Sequence, residues 1–240
     1  MTKIKGLLFG LIAVLLMSLA ACDTATAPSN VELDTQARDC VRSLQPDERY
    51  DISVSTRTSD YNDVFETNGN GYPKRVSFLV NPNRASLTGK RPRGEVQCST
   101  ASVGKFGGGQ YQGGHMVADR FKGLQARVNL FPQIATYNTG SFRAIEGAIA
   151  NRAKVLNNKD IEVDIDLKYG GNNIVPYGMN ITLFILDASD GEILSKKNWF
   201  YTNQPPNKRS RTGETNEDYN RGVKDSIKTW LNSNPNPEDL

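Results

Sequence analysis

The sequence predicts an α+β domain built on a central antiparallel or mixed sheet, and three observations predict it. Residues 50–57 (YDISVSTR) and 74–80 (KRVSFLV) read as strands before the middle of the chain. Residues 161–167 (IEVDIDL), 180–187 (NITLFILD) and 193–201 read as strands after it. Between the two sets, residues 141–156 place Phe142, Ile145, Ile149, Ala153 and Leu156 at helical spacing. Turn chemistry at Asn68-Gly69-Asn70-Gly71 and Asp190-Gly191 separates neighbouring strands. A chain of 240 residues is long enough for one domain with a real core, plus appendages.

Taken in order, residues 1–21 stand apart. Lys3 and Lys5 open them, residues 6–17 are almost purely apolar, and Leu19-Ala20-Ala21-Cys22 follows. This is the layout of a secretory signal. Its ending resembles the bacterial lipobox, in which Cys22 is lipidated and becomes the first residue of the mature protein. An ordinary signal peptide and an N-terminal membrane helix are the alternatives. The lipobox implies an exported bacterial lipoprotein of the cell envelope, held to a membrane through Cys22. Residues 22–45 then read as a small, polar tether followed by a short helix over 33–44. Cys40 and Cys98 remain, and in an exported chain they predict a disulfide. Such a bridge closes a loop of about 60 residues, for which chain entropy gives about 4 kcal/mol; two separate buried thiols are the alternative.

Residues 46–204 form the predicted catalytic domain. Within it, residues 94–100 (GEVQCST) read as a further strand, and residues 104–114 hold six glycines in eleven positions. A phosphate-cradling P-loop would close on Gly-Lys-Ser/Thr, whereas Gly104-Lys105 is followed by Phe106, so that reading fails. Glycines beside His115 instead predict backbone that passes close to a bulky substrate. Ser141 is the expected N-cap of the 141–156 helix. Residues 205–240 comprise a polar stretch, expected to be mobile, and an amphipathic helix over 216–232 through Tyr219, Val223, Ile227, Trp230 and Leu231.

Bulk charge is uninformative: without Lys3 and Lys5 there are 27 basic against 26 acidic side chains. Its distribution is informative. Residues 23–66 carry ten acids and four bases, while residues 74–154 carry thirteen bases and three acids. The basic segment surrounds His115, the single histidine of the chain, and points to a polyanionic partner.

Behind His115 stand Asn129, Gln133, Asn138 and Glu146. Cleaving a phosphodiester needs a base to activate water, positive charge on the phosphorane and a Lewis acid near the leaving oxygen. Histidine suits the first role at neutral pH. Magnesium keeps several waters and takes one or two protein oxygens, so an Asn amide and a water-bound Glu suffice to hold it; manganese fits the same donors. Taken singly, each residue has a plain structural explanation: His115 as a packed core residue, Asn129 and Asn138 in turns or caps, Glu146 on an exposed helix face.

In combination they resemble the DNA/RNA non-specific endonuclease family and its ββα-metal (His-Me) finger. Three blocks occur in order: Gly114-His115, then Asn129-Leu130-Phe131-Pro132-Gln133, then Asn138-Thr139-Gly140-Ser141-Phe142-Arg143-Ala144-Ile145-Glu146. The close match covers about 35 residues, and a looser one extends from 74 to 187. The resemblance implies a sheet carrying a finger of two short strands and a helix that starts near Asn138. It implies His115 as general base, Asn138 as direct ligand of Mg2+ (or Mn2+) and Glu146 as holder of the metal's waters, about two helical turns on. Asn129, grouped with the catalytic set, and Gln133 would fix the finger's geometry. The best-known members read Asp-Arg-Gly-His, where this chain has Gln112-Gly113-Gly114-His115. Arg120, Arg127 and Arg143 are the candidates to grip phosphate in place of that arginine, with Gln133 also counted at the substrate. The implied activity is metal-dependent hydrolysis of DNA, with RNA open as a second substrate and little sequence preference. Rival readings are a catalytically silent nucleic-acid-binding lipoprotein and a purely structural envelope lipoprotein.

Overall fold

The computed structural model describes residues 44–55, 60–87, 98–208 and 213–233. The signal, Cys22, Cys40 and residues 33–43 of the expected first helix lie outside the described residues. Eight strands and five helical segments build the rest. The strands are β1 (Arg49–Ser55), β2 (Asp60–Thr67), β3 (Pro73–Val80), β4 (Tyr111–His115), β5 (Leu130–Ile134), β6 (Lys159–Lys168), β7 (Gly178–Asp187) and β8 (Ile193–Thr202). The helices are α1 (Pro82–Ala85), α2 (Thr100–Gly104), α3 (Ala135–Tyr137), α4 (Arg143–Val155) and α5 (Asn216–Ser233). Six strands form one sheet in the order β1-β2-β3-β6-β7-β8, and β4 pairs with β5 in a separate two-stranded ribbon. Every pairing is antiparallel. The architecture is α+β, as the strand and helix periods predict. The ribbon and α4 are inserted between β3 and β6, which neighbour each other in the sheet.

Burial follows the sequence pattern closely. In β6, Ile161, Val163, Ile165 and Leu167 are buried and alternate with less buried positions. Strand β7 is buried along most of its length, as a central strand between two partners should be. The outer strand β8 is exposed over its first half, where Lys196 and Lys197 blunt an edge that would otherwise invite pairing. Ile145, Ile149 and Ala153 of α4 join the β-strand residues in one core cluster. Burying each large aliphatic there contributes about 1.5–3 kcal/mol.

Helix α5 belongs to the same core through Val223, Ile227 and Leu231. Its start carries a capping box: Asp218 N–H donates to Thr215 Oγ1 (3.1 Å), and that hydroxyl donates to the Asp218 carboxylate (2.7 Å). The Asn220 amide clamps both backbone groups of Thr202 on β8 (3.0 and 2.9 Å), and Trp199 packs edge-on against Trp230. Stretch 205–208 is tied to this helix: Asn216 N–H donates to the Lys208 carbonyl and the Asn216 amide to that of Pro205.

Several local expectations are corrected. Strand β2, rich in acids and polar groups, is an addition to the expected strands and pairs on both sides. Its Asp63 is buried because Arg84 of α1 reaches it bidentately at 2.7 and 2.8 Å. Ser99 and Thr100 do not end a strand; Thr100 opens α2, and residues 91–97 lie outside the described residues. Ser141 is not an N-cap, because the chain is helical from Ala135 onward through α3 and a π-turn over Asn138–Phe142. Two of the glycines in residues 104–114, Gly104 and Gly113, admit the protein's own backbone. A Cβ on Gly104 would stand 2.7 Å from Gln112 Cα, and one on Gly113 would stand 2.6 Å from the Thr100 carbonyl oxygen. Close packing of α2 on β4 is what requires them.

Candidate active site

The site is assembled on the β4–β5 ribbon and the helix that follows it. His115 is the last residue of β4, half-buried and opposite Leu130 in the ribbon. Its backbone course is set by Asn129, fully buried one residue before β5. The Asn129 carbonyl accepts from Met116 N–H (3.0 Å), and its side-chain oxygen accepts from Val117 N–H (2.7 Å). The Asn129 amide then donates to the carbonyls of Val117 (2.9 Å) and Leu124 (2.8 Å). Asn129 therefore acts on His115 through the backbone and is a positioning residue.

Gln133 of β5 is fully buried against Gly114, where a Cβ would stand 2.2 Å from the Gln133 amide oxygen. Neither atom of that amide has a hydrogen-bond partner, so its donor and acceptor capacity is unused beside the residue preceding His115.

From β5 the chain passes through α3 to Asn138, which is half-buried and opens the π-turn. The turn matters for phase. In a plain α-helix, eight residues rotate a side chain by about 800°, leaving Glu146 roughly 80° from Asn138. A π-turn takes up one extra residue. The separation then behaves as seven residues, about 700°, and the two side chains return to within about 20° of one stripe.

Glu146 and Met116, the residue after His115, line the same void of about 10 Å³, with Phe121, Phe142 and Ile149 among its walls. That volume holds one water at most. The Glu146 side chain is 17% exposed, and Arg120 Nε lies 4.0 Å from its carboxylate. Burial pushes the Glu146 carboxyl up to about 7, against the opposing pull of Arg120 and Arg143 and with a small push from Asp119.

The three candidate arginines part company. Arg120 stands beside Glu146 and is partly exposed. Arg143 is exposed at the start of α4. Arg127 is 2% exposed, donates from Nη1 to the Leu130 carbonyl (2.6 Å) and lies 5.5 Å from the centre of the Phe106 ring. Burial lowers its pKa from the ordinary guanidinium value. Assignment of Arg127 to the substrate is therefore corrected: it props the backbone opposite His115. Gly113 also explains the departure from Asp-Arg-Gly-His, since an arginine there would drive its Cβ into the backbone of α2. Cys98 is disulfide-bonded.

Sequence reasoning missed two supports. Asn203, fully buried just past β8, accepts from Ile134 N–H (2.9 Å) and donates to the carbonyls of Pro132 (2.8 Å) and Pro176 (2.9 Å). Arg84 donates from Nε to the Phe121 carbonyl (2.9 Å), holding the turn that carries Arg120. Neither has a local signal, because the partners lie tens of residues away in sequence.

The donor set fits a hydrated hard cation. An amide oxygen at Asn138 and a carboxylate at Glu146, on one stripe, match an ion that keeps most of its waters.

Three solved structures are similar to this chain: an extracellular nuclease (16% identity, 64% of this chain and 93% of that one, TM-score 0.46), an extracellular endonuclease (14%, 70% and 96%, TM-score 0.47) and a nuclease solved with a bound zinc ion (14%, 71% and 89%, TM-score 0.47). No curated protein matches. The family model for DNA/RNA non-specific endonucleases matches residues 57–185, more than half of the chain and all of the ribbon, π-turn and α4. The chain belongs to the DNA/RNA non-specific endonuclease family and is a nuclease.

Proposed function

We propose that this protein is an endonuclease that hydrolyses DNA, and RNA as a second substrate, with His115 as general base and a magnesium ion as its metal. The observation that supports the reading is the place of the three motif blocks on the ribbon and the helix after it: His115 ends β4, Asn138 opens the π-turn, and Glu146 and Met116 line one small void.

His115 takes a proton from the attacking water, and the Asn129 clamp on Met116 and Val117 fixes the backbone just past it. Asn138, through its amide oxygen, and Glu146, through its carboxylate, would hold the ion and its hydration shell. When bound, the ion supplies Lewis acidity at the leaving 3′ oxygen. Manganese satisfies the same oxygen donors. Arg120 contributes positive charge beside Glu146 where a phosphate arrives, and Arg143 adds to it from the exposed start of α4. We further propose that the chain is exported, with Cys22 lipidated and holding it to a membrane, and that Cys40 is the partner of Cys98. The mass of the N-terminal peptide of the membrane fraction tests the first, and mapping of the disulfide-linked peptides tests the second.

The central test uses residues 23–240 on supercoiled plasmid and on total RNA, with magnesium and with chelator, beside His115→Ala. Metal-dependent degradation lost in the variant is expected. Tight binding without cleavage in any divalent metal would instead favour a silent binder.

A further inference from the structure

Beside the catalytic stripe runs a second feature that the site does not use. Helices α4 and α5 leave a groove between them that opens into two hollows, about 220 and 420 Å³, sharing Ala144 as a common wall. The α4 side offers Ala144, Gly147 and Ala148, then Asn151, Arg152 and Val155, with Gly140 of the π-turn before them. The α5 side presents Arg221, Lys224 and Lys228, with Glu217 at the upper end. These positions recur at spacings of three and four residues, so they form one stripe. The three cations cover about 10 Å of helix, a length that spans about three phosphates of one strand at roughly 3.4 Å each.

The groove lies beside the site at two points. At one end it is walled by Gly140 and Ser141 of the π-turn that Asn138 opens. Farther along, Gly147 lines it, and Arg120 Nη1 lies 3.2 Å from where a Gly147 Cβ would stand. The same Arg120 faces Glu146. A chain leaving the site over Arg120 therefore meets the groove one helix-width away. Arg221 and Lys224 pair with the flanking Asp218 and Asp225 at the surface. Such exposed pairs are weak and screened, so phosphates can displace them.

We propose that the α4–α5 groove is a subsite for the sugar–phosphate backbone of the nucleic-acid substrate, running away from the scissile phosphate. Its specificity is for charge and length, because Ala144, Gly147 and Ala148 leave room for backbone while Arg221, Lys224 and Lys228 of α5, with Arg152 of α4, line the same groove. This inference rests on the nuclease reading for its occupant, and the experiment separates the two.

The test compares the full chain with the triple variant Arg221→Ala, Lys224→Ala, Lys228→Ala on bis(p-nitrophenyl) phosphate and on a long DNA duplex. In parallel, the duplex is titrated in chelator over about 50 to 200 mM salt, both proteins carrying His115→Ala. The expected result is an unchanged rate on the small ester, a rise in KM for the duplex of about tenfold or more, and a salt slope smaller by about 2 to 3, near 0.9 per lost phosphate contact. An unchanged KM and slope overturns the subsite, and so does an equal loss on both substrates. If the parent cleaves neither substrate, the catalytic reading fails while the salt slope still decides the groove.

Discussion

Asn129 and Asn138 are the same residue type in one motif with opposite physical situations, and substitution separates them. Asn129→Ala removes three buried hydrogen bonds and leaves the Val117 and Leu124 backbone groups without partners. It is expected to cost about 2–4 kcal/mol of stability along with activity, visible as a lower urea midpoint. Asn138→Ala should leave that midpoint nearly unchanged and weaken divalent-metal affinity, measured by calorimetry; an equal loss of stability in both would refute the distinction. For His115→Ala the expected loss of hydrolysis is about 10²–10⁴-fold, read on plasmid, without a change in metal affinity. Glu146 supplies a pH test. Its folded-state pKa of about 7 lies above the ordinary 4.5, so between these values the folded chain holds more protons than the unfolded one. The Glu146 contribution to metal-free stability is therefore full below about pH 4.5 and falls as pH rises toward 7, by something on the order of 2 kcal/mol. Relative to the parent, Glu146→Gln should gain stability from pH 5 to 8 without metal, and a difference independent of pH would contradict the burial argument. The motif made all four residues legible in the sequence. It did not reveal which act directly and which through the backbone, because that depends on where each amide finds its hydrogen bonds.

Elements are held in place by residues that no motif contains. Arg84 brings β2, β3, α1 and the Phe121 turn together through four side-chain donor contacts around a buried Asp63. Arg84→Ala leaves that carboxylate buried without its cation and is expected to cost about 3–5 kcal/mol. Because the Phe121 turn carries Arg120, substrate affinity should fall at temperatures where the variant is still folded. Gly114 and Gly140 make a matched pair: Gly114→Ala collides with Gln133, whereas Gly140→Ala meets nothing within 4 Å. The first should disrupt the ribbon. The second should be tolerated or slightly stabilising, by about 0.4–1 kcal/mol, and thermal unfolding of the two side by side checks both. Strand and helix periods were readable for β1, β3, β6, β7, β8, α4 and α5. Strand β2 was not, because its polar residues are stabilised by a partner some 20 residues away; nor was the π-turn, whose extra residue leaves no mark on composition.

At the scale of the whole molecule, the ribbon and α4 are an excursion from a sheet whose continuity does not depend on them, since β3 pairs directly with β6. Helix α5 closes the other side: it buries Val223, Ile227 and Leu231 and clamps Thr202. A chain ending at residue 204 would uncover this part of the core and is expected to be insoluble or to melt far below the full chain, even though the family match ends earlier, at 185. By itself the sequence determined the fold class, the family and the core-facing positions of α4, α5 and the later strands. Those properties follow from periodicity and side-chain type, which are local. Tertiary structure alone decided that Arg127 is a prop and Arg120 stands beside Glu146, that Gly104 and Gly113 admit backbone, and that Asn203 and Arg84 brace the site. Burial and partnership are set by which distant segments meet, and a buried polar group is stable only where such a meeting supplies its hydrogen bonds.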